Sequence, residues 1–236
     1  MSISTRTFDY EIDGRTFEGF LAAPKNTPAP AVLISHAWAG RSEFEDDKAK
    51  ALAELGYAGV AIDLFGKGNR GTTKEECQAL ITPFVEDRPF LQKRLAANIE
   101  MVKALPEADA SKIGAIGFCF GGLCVLDIAR MGADVAGVVS FHGLLGAPGN
   151  TVDQIKAKVL AIHGWDDPMA PPSDVVALGE ELTNAKADWQ LHGYGATMHA
   201  FTNPNANDPD FGTVYDTDAD RRSWQAMENF LAEIFR

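Results

Sequence analysis

The chain has 236 residues, enough for one α/β domain and short for two, so a single domain over residues 1–236 is expected. Its 46% hydrophobic and 23% charged residues are ordinary for a globular protein, and no stretch approaches the roughly 20 apolar residues that a membrane helix needs. A formal net charge of -12, with no basic run to offset it, disfavours nucleic acid and anionic membranes as partners. The opening residues Ser2, Ile3, Ser4, Thr5 and Arg6 lack the apolar run and cleavage site of a secretory signal, which predicts a cytoplasmic location. Cys77, Cys119 and Cys124 are too few and too irregularly spaced for a disulfide framework or a paired-cysteine zinc site, so free thiols are expected.

In chain order, residues 5–12 and 15–22 read as two strands around Asp13-Gly14, the dipeptide best suited to a tight hairpin. Apolar runs of strand length follow at 31–35, 59–62, 113–118, 135–141, 159–163 and 189–194. Helical periods alternate with them at 43–55, from Thr73 onward, and at 90–104, 120–131, 173–182 and 220–235. Ser42 with Glu45, and Thr73 with Glu76, have the spacing of capping boxes. Such alternation predicts an α/β fold: a mostly parallel central sheet with an antiparallel N-terminal edge and helices on both faces. The stretch 195–218 has no clear period and is rich in Asn, Asp and Pro, so it reads as a long loop of the kind that carries function.

Gly117-Phe118-Cys119-Phe120-Gly121-Gly122 follows an apolar strand and opens an apolar helix, the setting of a nucleophile elbow. Glycines on both sides let strand and helix approach closely, while the sharp turn leaves the central side chain exposed. Cys119 would then lie at a helix N-terminus, where the dipole favours the thiolate, the reactive form. A buried structural cysteine is the plain alternative for an isolated Gly-x-Cys-x-Gly, and the flanking strand and helix weigh against it. Cys124 and Cys77 read as small core residues.

In a fold with such an elbow, an acid and then a histidine follow the nucleophile, each on a loop after a later strand. Gly164-Trp165-Asp166-Asp167-Pro168 supplies two acids; Asp167 is preferred because only one of two neighbours can point inward, and Asp166 is the alternative. Of five histidines, only His192 and His199 come after the acids; His192 falls inside a predicted strand, leaving His199 as the candidate base. His199 would take the thiol proton and later activate water, with Asp167 fixing its tautomer. The oxyanion would need two N–H donors, for which Phe120 and Trp38 are the candidates; His36, in the same early loop as Trp38, reads as a brace. Phe65, Arg70, Arg88, Trp165 and Met198 are candidates for contacts to substrate, with surface solvation the plainer role for the two arginines.

These motifs resemble the dienelactone hydrolase family of the α/β-hydrolases. The likeness runs through residues 36–40, Leu52-Ala53-Glu54-Leu55-Gly56-Tyr57, Ile62-Asp63-Leu64-Phe65-Gly66, the elbow, residues 163–168 and His199-Ala200-Phe201. The resemblance implies Cys119, Asp167 and His199 as a triad, no metal or organic cofactor, and hydrolysis of an enol-lactone or related small ester. Two positions depart from the family pattern. Ala37 stands where an acidic residue pairs with the resting cysteine, and Thr202 and Asn203 stand where an arginine would hold a substrate carboxylate. A thioesterase or acyltransferase would use the same triad, and a catalytically silent binding protein could keep the same fold. A redox protein acting through Cys119 would want a resolving cysteine, and Cys124 is expected to point away inside a helix. Oligomeric state, substrate and pathway stay open at this level.

Overall fold

A computed structural model describes residues 2–236, in which ten strands and six helices alternate. The fold is α/β, with a mixed, mostly parallel central sheet whose N-terminal edge is antiparallel and which is flanked by helices. The chain groups into two compact units, one ending at Ile116 and the other comprising Gly117–Arg236.

In the first unit the strand order is β1-β2-β4-β3-β5. Strands β1 (Ile3–Ile12) and β2 (Arg15–Pro24) form a hairpin closed at Ile12 and Arg15. Asp13 and Gly14 both take positive φ, 52° and 74°, as a two-residue turn matched to strand twist requires. β2 pairs antiparallel with β4 (Ala58–Ala61), which pairs parallel with β3 (Ala29–Ser35). Helix α1 (Glu43–Glu54) carries the expected capping box between Ser42 and Glu45 and buries Ala49, Leu52 and Ala53. It comes so close to β4 that a Cβ on Gly59 would lie 2.7 Å from Ala49 Cα, so only glycine fits there. Helix α2 (Lys74–Glu86), capped by Thr73 and Glu76, continues through Pro83, and α3 (Arg88–Lys103) starts from Asp87, whose side chain accepts from Phe90 N–H. β5 (Ala108–Phe118) begins five residues before its apolar run, because half-exposed Asp109 and Lys112 and exposed Ser111 extend the strand without contributing an apolar period.

The second unit contains α4 (Phe120–Arg130), β6 (Gly137–Phe141), β7 (Lys158–Gly164), α5 (Pro172–Asn184), β8 (Trp189–Tyr194) and α6 (Thr217–Ile234). β6, β7 and β8 are parallel neighbours, and both α4 and α6 pack on β6 and β7. Arg130 is fully buried yet satisfied: it binds Glu181 at 2.7 and 3.0 Å and the carbonyls of Leu145 and Gly146. The stretch 195–218 is more ordered than its composition predicts. It holds the short strands β9 (Asn207–Asp208) and β10 (Thr213–Val214), and α6 begins at Thr217 because Asp216 caps Ala219 N–H at 2.8 Å. Two-residue strands and a polar first helical turn leave no apolar period to detect. Among the described residues, no helix is long and apolar enough to cross a membrane.

Candidate active site

Cys119 stands between β5 and α4 with φ 56° and ψ -117°, a backbone conformation that an L-residue holds only when its surroundings impose it. Those surroundings are glycines. A Cβ on Gly117 would overlap Gly121 O, and one on Gly122 would meet Gly143 Cα at 2.6 Å and Ser140 Oγ at 2.7 Å. The Cys119 carbonyl accepts from Gly122 N–H at 2.9 Å, while its own N–H is shared between Phe141 O at 3.1 Å and His142 Nδ1 at 3.2 Å. The thiol is partly exposed at the N-terminus of α4, whereas Cys77 and Cys124 are buried. Phe120, the first residue of α4, buries its ring entirely.

The turn after β7 separates the two neighbouring acids. Asp166 faces solvent, and Asp167 is 2% exposed. Asp167 Oδ1 accepts from Met169 N–H at 2.8 Å, and Oδ2 accepts from His199 Nδ1 at 2.7 Å. Gly164 makes the approach of these loops feasible, since a Cβ there would lie 2.5 Å from Thr197 O and 2.7 Å from Met198 O. His199 is buried and held by its backbone, its N–H donating to Gly212 O and its carbonyl accepting from Val214 N–H, both at 3.0 Å. Its second ring nitrogen, Nε2, is buried as well. Burial opposes charge on this imidazole. The electrostatic influence of Cys119 and then the hydrogen bonds to Asp167 and Cys119 outweigh it and raise the pKa from 6.5 to about 10. Cys119 and His199 are thus coupled electrostatically.

A pKa raised on folding means that the native state holds the His199 proton more tightly than the unfolded chain does. The linked stability is complete below about pH 6.5 and is lost as pH rises through about 10. The Tm advantage of the wild type over Cys119→Ala, which lacks the first of the raising influences, is therefore expected to shrink across that window. A Tm difference independent of pH there would contradict this coupling.

The remaining sequence candidates are placed as follows. Trp165 is 44% exposed and Met198 half-buried, both in the second unit. In the first unit Trp38 is half-buried in the loop after β3, where Gly40 at φ 92° turns the chain and donates to Ala37 O at 3.2 Å. His36 braces that loop: Nδ1 meets Ala37 O at 2.7 Å and Nε2 accepts from Leu64 N–H at 3.2 Å, and burial lowers its pKa to about 4, keeping it neutral. The Ala37 N–H reaches the buried carboxyl of Glu45 at 3.3 Å. Phe65 is buried against His36. The arginines do not fit simple surface solvation. Arg88 is only 9% exposed, and Arg70 donates to Arg41 O at 2.5 Å and Asn69 O at 2.7 Å and lies 3.6 Å from Asp63.

Two residues beside the site have contacts that sequence analysis does not reveal. His142 follows β6, is buried at φ 37°, and faces both His199 and Phe201 edge-on, with ring centroids 5.1 and 5.0 Å apart. Thr202 is buried and bonds His142 Nε2 at 2.8 Å. The available signal was position: His142 caps the C-terminal end of a strand in a parallel sheet, the edge where such folds gather functional groups.

The comparisons agree with this architecture. Residues 17–235 match the model of the dienelactone hydrolase family. The chain superimposes over its full length on a dienelactone hydrolase-like promiscuous phosphotriesterase from metagenomic libraries, with 33% identity, a TM-score of 0.93 and complete coverage of both chains. A protein of Caenorhabditis elegans is 39% identical over 151 residues, 61% of this chain and 94% of that protein. Carboxymethylenebutenolidase of Pseudomonas putida is 26% identical over 204 residues, 83% of this chain and 84% of that enzyme. With the family model matched across nearly all of its length, this chain belongs to the dienelactone hydrolase family.

Proposed function

We propose that the chain hydrolyses small, neutral carboxylic esters or lactones, with Cys119 as nucleophile, His199 as acid and base, and Asp167 as the group that orients the histidine. The main support is the Asp167–His199 hydrogen bond of 2.7 Å, both partners buried, in electrostatic contact with a thiol on a strained elbow. The Cys119 thiolate attacks the carbonyl carbon, forming a C–S bond and an oxyanion that a helix N-terminal N–H, that of Phe120, stabilises. The C–O bond then breaks, and the His199 proton goes to the leaving oxygen. In a lactone this oxygen stays tethered to the acyl group. His199, now neutral, takes a proton from water, whose oxygen attacks the thioester and expels the thiolate, giving the free acid.

Neutral substrates are favoured because the groups that could clamp a carboxylate are engaged elsewhere. Thr202 is committed to His142, Asn203 Oδ1 accepts from Asn205 N–H at 3.0 Å, and Arg70 is held by two backbone carbonyls. None offers the free bidentate fork that selects a carboxylate. The test is kcat/KM for a neutral lactone against a carboxylated dienelactone of similar size, with aryl esters and acyl thioesters in the same panel. The neutral lactone is expected to be handled at least as well. A hundredfold preference for the acid, about 2.7 kcal/mol of discrimination, would refute the assignment of substrate class. Acyl thioesters outrunning every oxygen ester would point to a thioesterase, and transfer to an alcohol in place of water to an acyltransferase.

A second substrate class is supported by the phosphotriesterase that is 33% identical over the whole chain. The same thiolate could attack phosphorus in an aryl dialkyl phosphate, expelling aryloxide. Aryloxide release from such a phosphate, lost with Cys119, is the measurement. All three cysteines are free, and a thiolate nucleophile is best kept in a reducing compartment, so we place the chain in the cytoplasm.

A further inference from the structure

We propose that His142 is a positioning residue that ties the nucleophile elbow to the loop carrying His199, with Thr202 as its second anchor. The inference deepens the function proposed above and rests on Cys119 being the nucleophile. Its starting point is the protonation of one ring. A backbone N–H can only donate, so His142 Nδ1, which receives the Cys119 N–H at 3.2 Å, must present a lone pair. The ring proton is then on Nε2 and is donated to Thr202 Oγ1 at 2.8 Å. A single neutral tautomer satisfies both contacts.

Each contact lands on a part of the site that needs holding. Cys119 has φ 56°, and its N–H leans on Phe141 O and His142 Nδ1 together. Thr202 lies three residues after His199 and is 1% exposed, on a segment fixed where Asp216 N–H donates to Phe201 O at 3.1 Å. The His142 backbone is anchored in turn, its N–H donating to Ile162 O of β7 at 2.8 Å. The ring also lies edge-on to His199 at 5.1 Å and limits that imidazole's movement toward it. The separation of Cys119 from His199 Nε2 depends on how their two backbones are held, and His142 is a side chain that touches both segments. Misplacement of reacting groups by a fraction of an ångström is enough to slow catalysis markedly. His142 is occupied by protein partners at both ring nitrogens, so its loss should act on turnover and leave substrate affinity nearly unchanged.

The test is a double-mutant cycle on an aryl ester, reading kcat and KM separately and using thermal melts to confirm folding. Asparagine is the informative replacement at His142. It tolerates a positive φ, its amide oxygen can stand where Nδ1 stands, and it is too short to reach Thr202. His142→Asn and Thr202→Val, which break the same link from opposite ends, are each expected to lower kcat about tenfold with KM changed less than about twofold. The double variant should fall no further than the weaker single variant, and Thr202→Ser, which restores the hydroxyl, should return kcat to within about twofold of wild type. Multiplying losses, about a hundredfold in the double variant, would overturn the link, as would losses confined to KM or kcat values equal to wild type. Cys119→Ala measured in the same assay separates the two levels. Retained turnover there refutes the nucleophile itself, whereas an inactive Cys119→Ala beside multiplying His142 and Thr202 losses refutes only the positioning role.

Discussion

Cys119→Ala is expected to lower kcat/KM for an aryl ester or lactone by about 10³-fold or more while the protein stays folded, the loss seen when a nucleophile is removed from a working triad. Cys119 is the one partly exposed thiol of the three, and it stands at a helix N-terminus that favours its anionic form. Cys77 and Cys124 are buried in α2 and α4, so Cys77→Ala and Cys124→Ala should cost some stability through lost packing and leave turnover within a few-fold of wild type. Alanine can adopt the strained backbone at 119 about as well as cysteine does, so the variant tests chemistry more than folding. The measurement is steady-state turnover alongside a thermal melt, and mass spectrometry should detect an acyl group on the wild type but none on the variant. More than about a hundredth of wild-type turnover in Cys119→Ala would overturn the assignment.

His199→Ala should be comparably severe, because the same imidazole both protonates the leaving group and activates water, and it is the partner of Asp167 Oδ2. Asp167→Asn should cost about 10²- to 10⁴-fold in kcat. The asparagine amide can present an N–H toward His199 Nδ1 and so favour the tautomer that carries its proton on the wrong nitrogen, while the geometry stays nearly intact. Asp166→Asn, at an exposed side chain, should change kcat less than about twofold. The pair of aspartates is the sharper comparison: equal losses, or a greater loss at Asp166, would move the orienting role to the neighbour. Among the other histidines, His192→Ala should matter little, since its ring is half-buried on β8, and His36→Ala should act through stability by releasing Leu64 N–H and Ala37 O. His142 stands apart from these two. From sequence it ranks with the dispensable histidines, but its bonds to Cys119 N–H and Thr202 predict a measurable loss of turnover.

The amino-acid sequence alone determines those features that depend on short stretches of chain. Period-two and period-3.6 apolar patterns mark most strands and helices within a few residues, Asp13-Gly14 marks the hairpin, and Ser42 with Glu45 and Thr73 with Glu76 mark two helix starts. The elbow is legible for the same reason. Strand, glycines, cysteine and helix are contiguous, and the glycines are needed by overlaps with residues only a few positions away or at the next strand end. Tertiary structure decides what depends on contacts between distant segments. Burial of Asp167 and exposure of Asp166 follow from the bond to His199, 32 residues on, and from the close approach that Gly164 permits to Thr197 and Met198. The weak order within 195–218 comes from β9 pairing with β10 and from backbone bonds at His199, neither of which leaves a period in the sequence. His142 meets Cys119 from 23 positions away and Thr202 from 60, and Arg70 is committed to Arg41 from 29. A hydrogen-bond partner is chosen by position in space, and residue type and local spacing carry no record of that choice until the chain has folded.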